Sequence, residues 1–321
     1  MDRSSLIARL SAVADPVLAL FVVPAGLLLK AVRRVGLHRL PLCRKILLRI
    51  GVLPIRHHYY EPLFREIDSR YPKDRERALP GIDWNHQGQT ALLQSLSFGN
   101  ELESLGAPGT AQFQFRLHNG SFESGDAEFL YQMIRLKKPR RFFEIGSGSS
   151  TLIARQAIAR NREEDPHYDC KHLCIEPFEA PWLETAGIRT LRKKVEEVDP
   201  DLFAELAEGD FLFIDSSHVI RPQGDVLVEY LEILPKLRAG VIVHVHDIFS
   251  PRDYPPQWLF ERVWLWNEQY LLEAFLTGNS EWKILGALNW LHHYDFNALR
   301  RVCPFLTADR EPGSFYIQKV R

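Results

Sequence analysis

Arg141-Phe-Phe-Glu-Ile-Gly146-Ser-Gly148-Ser-Ser-Thr151 is a short apolar run that stops at two glycines, and a helix-forming stretch, 152–160, begins at once. A strand, a turn that only glycine backbone makes easily and a helix N-terminus with free N–H groups together form a ligand cradle in α/β proteins. Working outward, apolar strands are expected at 172–176, 188–191, 210–215, 241–246, 282–288 and 315–320. Helices are expected from Ser124 to the residue before Pro139, over 225–237, and as a long aromatic helix over about 258–276. Strands that are apolar nearly throughout and alternate with helices predict a doubly wound, mostly parallel α/β sheet of seven strands, covered on both faces. The last two strands lack a crossover helix, so one is expected to run antiparallel at the sheet edge.

The chain has 321 residues, with 45% hydrophobic and 25% charged residues. That balance excludes wholesale disorder, collagen-like sequence and a multi-span membrane protein. Four cysteines are too few for a disulfide framework and point to a reducing, cytoplasmic compartment. A net charge of −1 gives no reason to expect nucleic acid as a partner. The charge is unevenly spread, however. From Pro16 to Tyr60 there is no acidic residue, while eight Lys and Arg side chains, Lys30 to Arg56, leave residues 61–321 carrying −9.

The same region opens with fourteen apolar positions, 16–29, interrupted by Pro24 and Gly26 and short of the ~20 a spanning helix needs. The basic cluster follows the apolar run instead of preceding it, so a cleaved signal is not expected. Residues 16–50 are read either as interfacial helices on the inner face of a membrane or as a helical layer packed on the main domain or on a second subunit, as in a homodimer. The expected organisation is therefore a basic, apolar N-terminal helical extension over 1–60, a mixed helical lead-in over 61–120, and the sheet domain over 121–321.

The glycine turn narrows the ligand. A dinucleotide fingerprint wants a third glycine where Thr151 stands, and a phosphate-binding P-loop wants a lysine that is absent. Glu144 before the turn would repel phosphate but suit a bound ammonium. These residues resemble the class I S-adenosylmethionine-dependent methyltransferases, whose first motif reads acidic-x-Gly-x-Gly after strand one. The resemblance assigns Glu144, Gly146, Ser147 and Gly148 to the cofactor, and Glu176, at the end of strand two, to its ribose hydroxyls. Glu196 or Glu197 would fall near the adenosine. Phe213-Ile-Asp-Ser-Ser-His218 and His246-Asp247 look like a bacterial branch of small-molecule methyltransferases with Ile-Asp-x-x-His after strand four and His-Asp after strand five. It covers about 121–320.

Ligands of doubly wound sheets sit at the carboxyl ends of strands, which places Asp215, His218, His246 and Asp247 at one mouth. Methyl transfer needs an oriented acceptor lone pair and a group that takes its proton. His218 or His246 would serve as base with Asp215 or Asp247 orienting it, Asp215 also touching cofactor. Alternatively Asp215, Asp247 and His218 would hold Mg²⁺ or another divalent ion that acidifies a bound hydroxyl. Metal-dependent relatives of catechol type carry a further Asn or Asp where this chain has Ile248. His244 is expected to be a hydrogen-bonded core residue, and Cys170, His172 and Cys174 lack zinc spacing. Ser216 and Ser217 lack a nucleophile elbow. Trp264 and Tyr270 either wall an acceptor pocket or pack the core. The expected acceptor is a small molecule, sugar or lipid-linked glycan methylated on oxygen. A non-catalytic membrane-associated binding module and a nicotinamide-dependent oxidoreductase are the alternatives from other classes.

Overall fold

The computed structural model describes residues 3–103 and 113–321. It forms two compact units, one closing at Ser69 and the other running from Arg70 to Arg321. The boundary expected at residue 60 therefore moves to 69/70, and that expected at 120 disappears, because the lead-in from Arg70 onward belongs to the second unit.

In the first unit α1 (Arg3–Val35) is continuous through Pro16 and Pro24. This corrects the expected interruption. A proline removes one N–H bond and crowds the preceding turn, but the Leu- and Ala-rich turns on either side keep their own bonds, so the helix continues. It stops at Gly36, whose φ of 98° and bond to the Val32 carbonyl (3.1 Å) form a glycine C-cap. After it α2 (Pro41–Ile50) ends in the same way at Gly51, with Val52 N–H closing onto Leu47 O at 3.1 Å.

The second unit opens with α3 (His86–Ser95) and α4 (Gly99–Leu102). There follow α5 (Asp126–Lys137), β1 (Arg141–Ile145), α6 (Ser149–Glu164), β2 (Lys171–Ile175), β3 (Arg189–Leu191) and β4 (Phe211–Ile214). Next come α7 (Asp225–Val228), extended by a wider turn to Ile233, then β5 (Ile242–Val245), α8 (Glu268–Leu276), β6 (Trp282–Ala287), α9 (Leu288–Tyr294), α10 (Phe296–Val302) and β7 (Phe315–Lys319). The seven strands lie in the order β3-β2-β1-β4-β5-β7-β6. All pairings from β3 to β5 are parallel. β7 is the antiparallel strand, but it sits between β5 and β6, so the edge belongs to β6. The chain reaches β6 first and then returns through α9 and α10 to fill the gap, which the missing crossover could not reveal.

Alternate strand residues pack against opposite helical layers. Phe142, Phe211, Phe213 and Ile242 join α5 and α6, while Phe143, Leu212, Ile214 and Val243 join α7 and α8. This double coverage is why the strands are apolar on both faces. The lead-in docks on the antiparallel side, where Asn85 Nδ2 donates to Ile284 O (2.7 Å) and Ala287 N–H donates to Gln89 Oε1 (2.8 Å).

The first turn of α5 is tied to the chain before β7 by two buried acids. Asp126 accepts from Ser314 N–H (2.8 Å) and Glu128 from Phe305 N–H (2.7 Å). Burial raises both, Glu128 to about 7. Between pH about 4.5 and about 7 the folded chain thus holds a proton on Glu128 that the unfolded chain has released, and stability falls as pH rises through this window. A shift of this size corresponds to about 3 kcal/mol. We expect Glu128→Gln to flatten the decline in thermal midpoint between pH 5 and pH 8, and an unchanged slope in thermal melts rejects the assignment.

Candidate active site

Four strand ends meet at the site. Gly146 N–H donates to Ile175 O (3.0 Å) and Asp215 N–H to Ile145 O (2.9 Å), locking the exits of β1, β2 and β4 together. Gly146 has φ 78°, and a Cβ there would lie 1.9 Å from the Asp215 carbonyl oxygen. Glycine is required by this approach. Beside the turn opens a cleft of about 570 Å³, lined among others by Gly146, Ser147, Glu176, Glu196, Asp215 and Arg221. Glu176 Oε1 accepts from the N–H groups of Phe178 (2.8 Å) and Glu179 (2.7 Å), which fixes the carboxylate at the rim.

Two expected cofactor residues sit elsewhere. Glu144 does not line the cleft. Its fully buried carboxylate accepts from Thr151 Oγ1 (2.9 Å) and Ser150 Oγ (3.3 Å) and pairs with His172, so it braces the start of α6 and is not placed for an ammonium. Gly148 also lies outside the lining and donates its N–H to Thr151 Oγ1 at 3.1 Å. Glu196 lines the cleft, whereas Glu197 turns back to the Lys194 N–H.

The Asp/His group converges. His218 Nε2 lies 3.2 Å from Asp215 Oδ1 and 3.5 Å from Asp247 Oδ2, and His246 Nε2 lies 3.5 Å from Asp247 Oδ1. His218 Nδ1 meets Glu268 Oε2 at 2.8 Å, and Tyr230 Oη donates to the other oxygen of Glu268 at 3.1 Å. Both His218 and Asp247 have φ of 57°, a strained conformation for residues other than glycine and one that clusters at functional sites.

Electrostatics separates these groups. Burial alone would strip His218 of its proton, but the bonds to Asp215 and Glu268 and the charges of Glu268 and Asp247 hold it well above its ordinary range. Burial would raise Asp215, yet His218 and the charge of His246 keep it below the usual carboxylate range. Asp247 is pushed up to about 6 by burial, against the pull of both histidines. His246 is depressed by burial but raised on balance by Asp247, Asp215 and Asp126.

Sequence did not single out Glu268, and it offered Trp266 only as one residue of the aromatic helix. The expected long aromatic helix is instead a single turn, Gln257–Glu261, then irregular chain, then α8. The break is held by Asn267 and Glu268 N–H groups donating to the His218 carbonyl (2.9 and 3.2 Å). It lays Trp266 against the His218 ring (4.3 Å) and stacks Trp264 on Trp266 (4.3 Å). Tyr270, by contrast, turns to Asp253 through its hydroxyl (3.0 Å). His244 is buried against Tyr316 (4.3 Å) as expected of a core residue, but neither ring nitrogen has a hydrogen-bond partner, and burial drives it well below its ordinary range. It is a neutral packing group, not a hydrogen-bonded one.

Residues 143–248, which contain the glycine turn and both Asp/His motifs, match a family model described as a methyltransferase domain. The chain carries a methyltransferase domain over this stretch. A similar stretch occurs in an uncharacterized protein of Archaeoglobus fulgidus, 26% identical over 166 residues that cover 47% of this chain and 72% of the relative. Among solved structures, the O-methyltransferase from Bacillus cereus in complex with SAH is 12% identical, with 72% of this chain and 91% of that chain covered and a TM-score of 0.36. CalS11, a TDP-rhamnose 3'-O-methyltransferase of calicheamicin biosynthesis, is 14% identical, with 75% and 99% covered and a TM-score of 0.39. The structure of cmcI-D160 with Mg and SAM is 13% identical, with 69% and 84% covered and a TM-score of 0.37.

Proposed function

We propose that the methyltransferase domain transfers a methyl group from S-adenosylmethionine to a hydroxyl of a small molecule, sugar or lipid-linked glycan. The observation that carries this reading is the continuity of the cleft with the Asp/His group through one residue, Asp215. The cofactor would occupy the cleft beside Gly146 and Ser147. Glu176, with Oε1 engaged by the backbone, would offer Oε2 to the ribose diol. The acceptor would approach from the Trp264–Trp266 side, where half-buried indole faces suit a sugar or a flat ring.

In this reading Asp247 takes the acceptor proton. A carboxylate raised to about 6 is ionised at neutral pH yet more basic than an ordinary one. His218 is held well above its ordinary range by Asp215 and Glu268; as an imidazolium it would have no lone pair to give and would be the cation that keeps Asp215 and Asp247 in place. His246 then stands behind Asp247 and stabilises its charge.

A second reading rests on the donor set. Asp215, His218 and Asp247 can each present a ligand atom within 4.8 Å of the others, and Glu268 on His218 Nδ1 is the outer carboxylate that orients metal-binding histidines. One imidazole and two carboxylates fit a divalent transition ion better than Mg²⁺. Bound there in place of the His218 Nε2 proton, it would lower the pKa of a coordinated hydroxyl, and Asp247 would be a ligand instead of the base.

Calorimetric titration with S-adenosylmethionine and NAD, before and after chelation, tests the cofactor and the ion. Saturable binding of the first alone is expected. Glu176→Ala should weaken it about tenfold or more through the lost charged hydrogen bonds to the ribose. Unchanged affinity removes that role from Glu176, and binding of NAD alone removes the function.

A further inference from the structure

We propose that α1 spans a lipid bilayer and holds the methyltransferase domain at its cytoplasmic face. Arg9–Val35 is a 27-residue helical stretch whose most apolar 18 residues have a mean hydropathy of 2.2, none of them buried. At 1.5 Å per residue it extends about 40 Å, against about 30 Å for a bilayer core. No charge falls between Asp15 and Lys30. A lysine one turn from the end can carry its ammonium to the interface along its own stem.

The distribution around the helix decides between lying on a membrane and crossing it. Val17, Leu18, Leu20, Phe21, Val22 and Val23 are all exposed, and consecutive residues point about 100° apart, so the mid-section is apolar on every side. A helix lying in the interface needs a polar face for the water, and this one has none. Ser11 donates its hydroxyl to Ile7 O at 2.8 Å, which satisfies within the helix the one hydroxyl of the Arg9–Val35 stretch. α2 is different: Leu42, Ile46 and Ile50 recur every fourth residue with Arg44, Lys45 and Arg49 among them, which suits an in-plane helix.

The charge asymmetry gives the direction. Lys30, Arg33, Arg34, Arg39, Arg44 and Lys45 follow the apolar section closely, whereas Arg3 and Arg9 before it are offset by Asp2 and Asp15. Positive flanks stay on the cytoplasmic side, where anionic lipids are enriched. Among the described residues α1 is the one helix with such length and apolarity, so the chain that follows remains on that side. At this end of α1 a cavity of about 680 Å³ is lined by Leu29, Lys30, Arg34, Pro54, Arg56 and Arg65 among others, a setting for anionic headgroups.

The full chain, produced in bacterial cells, tests this. Washing membranes with high salt and then alkaline carbonate should leave the wild type in the pellet. The double variant Phe21→Arg and Val22→Arg should raise the soluble fraction about tenfold while still binding S-adenosylmethionine as the wild type does, since both side chains are exposed. Cys43 reports direction, because Cys170, Cys174 and Cys303 are buried. A membrane-impermeant maleimide should label it in inverted vesicles and not in intact spheroplasts. Release of the wild type by salt or carbonate overturns the spanning helix, and labelling in spheroplasts overturns the orientation.

Discussion

Asp247→Asn is expected to lower methyl transfer by about a thousandfold while leaving S-adenosylmethionine affinity within about twofold. Asn has the size of Asp and tolerates the left-handed conformation that position 247 adopts, so the strained backbone survives the change. Asp247 is not among the residues lining the cleft, which is why the cofactor should not notice. What disappears is the proton acceptor raised to about 6, together with one of the charges that raise His218 and His246. The wild-type pH profile gives an independent check. Below pH about 6 Asp247 is protonated and cannot accept, so kcat/KM should fall tenfold per unit there, and the variant's residual rate should lack that limb. If activity also collapses on chelation and returns with a transition metal, Asp247 acts as a ligand. Retained turnover in Asp247→Asn would leave it with no more than a structural part in the turn after β5.

Sequence reading reached the sheet because strand patterning is a local property: five-residue apolar runs at regular intervals have few other uses. It reached Asp215, His218, His246 and Asp247 for a related reason, since each sits at or just past a strand end and strand ends share one edge. What it missed is non-local. Nothing at Trp266-Asn-Glu268 distinguishes a break from a continuing aromatic helix, because the break is stabilised by the His218 carbonyl nearly fifty positions earlier. Glu268 is therefore visible only once α8 has been docked. Glu144 illustrates the converse error. Its motif places an acid before the glycine turn, but the alternation within β1 sends its side chain to the same face as Phe142, toward α6, where Thr151, Ser150 and His172 take it up. The continuity of α1 was hidden by giving Pro24 and Gly26 the weight they have in short water-exposed helices.

Gly146→Ala should show the second large effect, and it separates two glycines that the motif treats alike. The added methyl would stand 1.9 Å from the Asp215 carbonyl oxygen and 2.9 Å from its carbon. Both are backbone atoms, so no rotamer change relieves the clash. The exits of β1 and β4 would have to part, breaking the bonds from Gly146 N–H to Ile175 O and from Asp215 N–H to Ile145 O, and alanine would also have to hold φ near 78°. Two hydrogen bonds and a left-handed alanine together amount to about 3–5 kcal/mol. Since Asp215 joins the cleft to the acid–base group, cofactor affinity should fall with stability, by about a hundredfold or more. Gly148→Ala is the matched control: a Cβ there meets nothing within 4 Å and its φ of 180° is open to any residue. Its thermal midpoint should stay close to the wild type. Equal melting of the two variants would mean that the close approach of Gly146 to Asp215 does not organise the site.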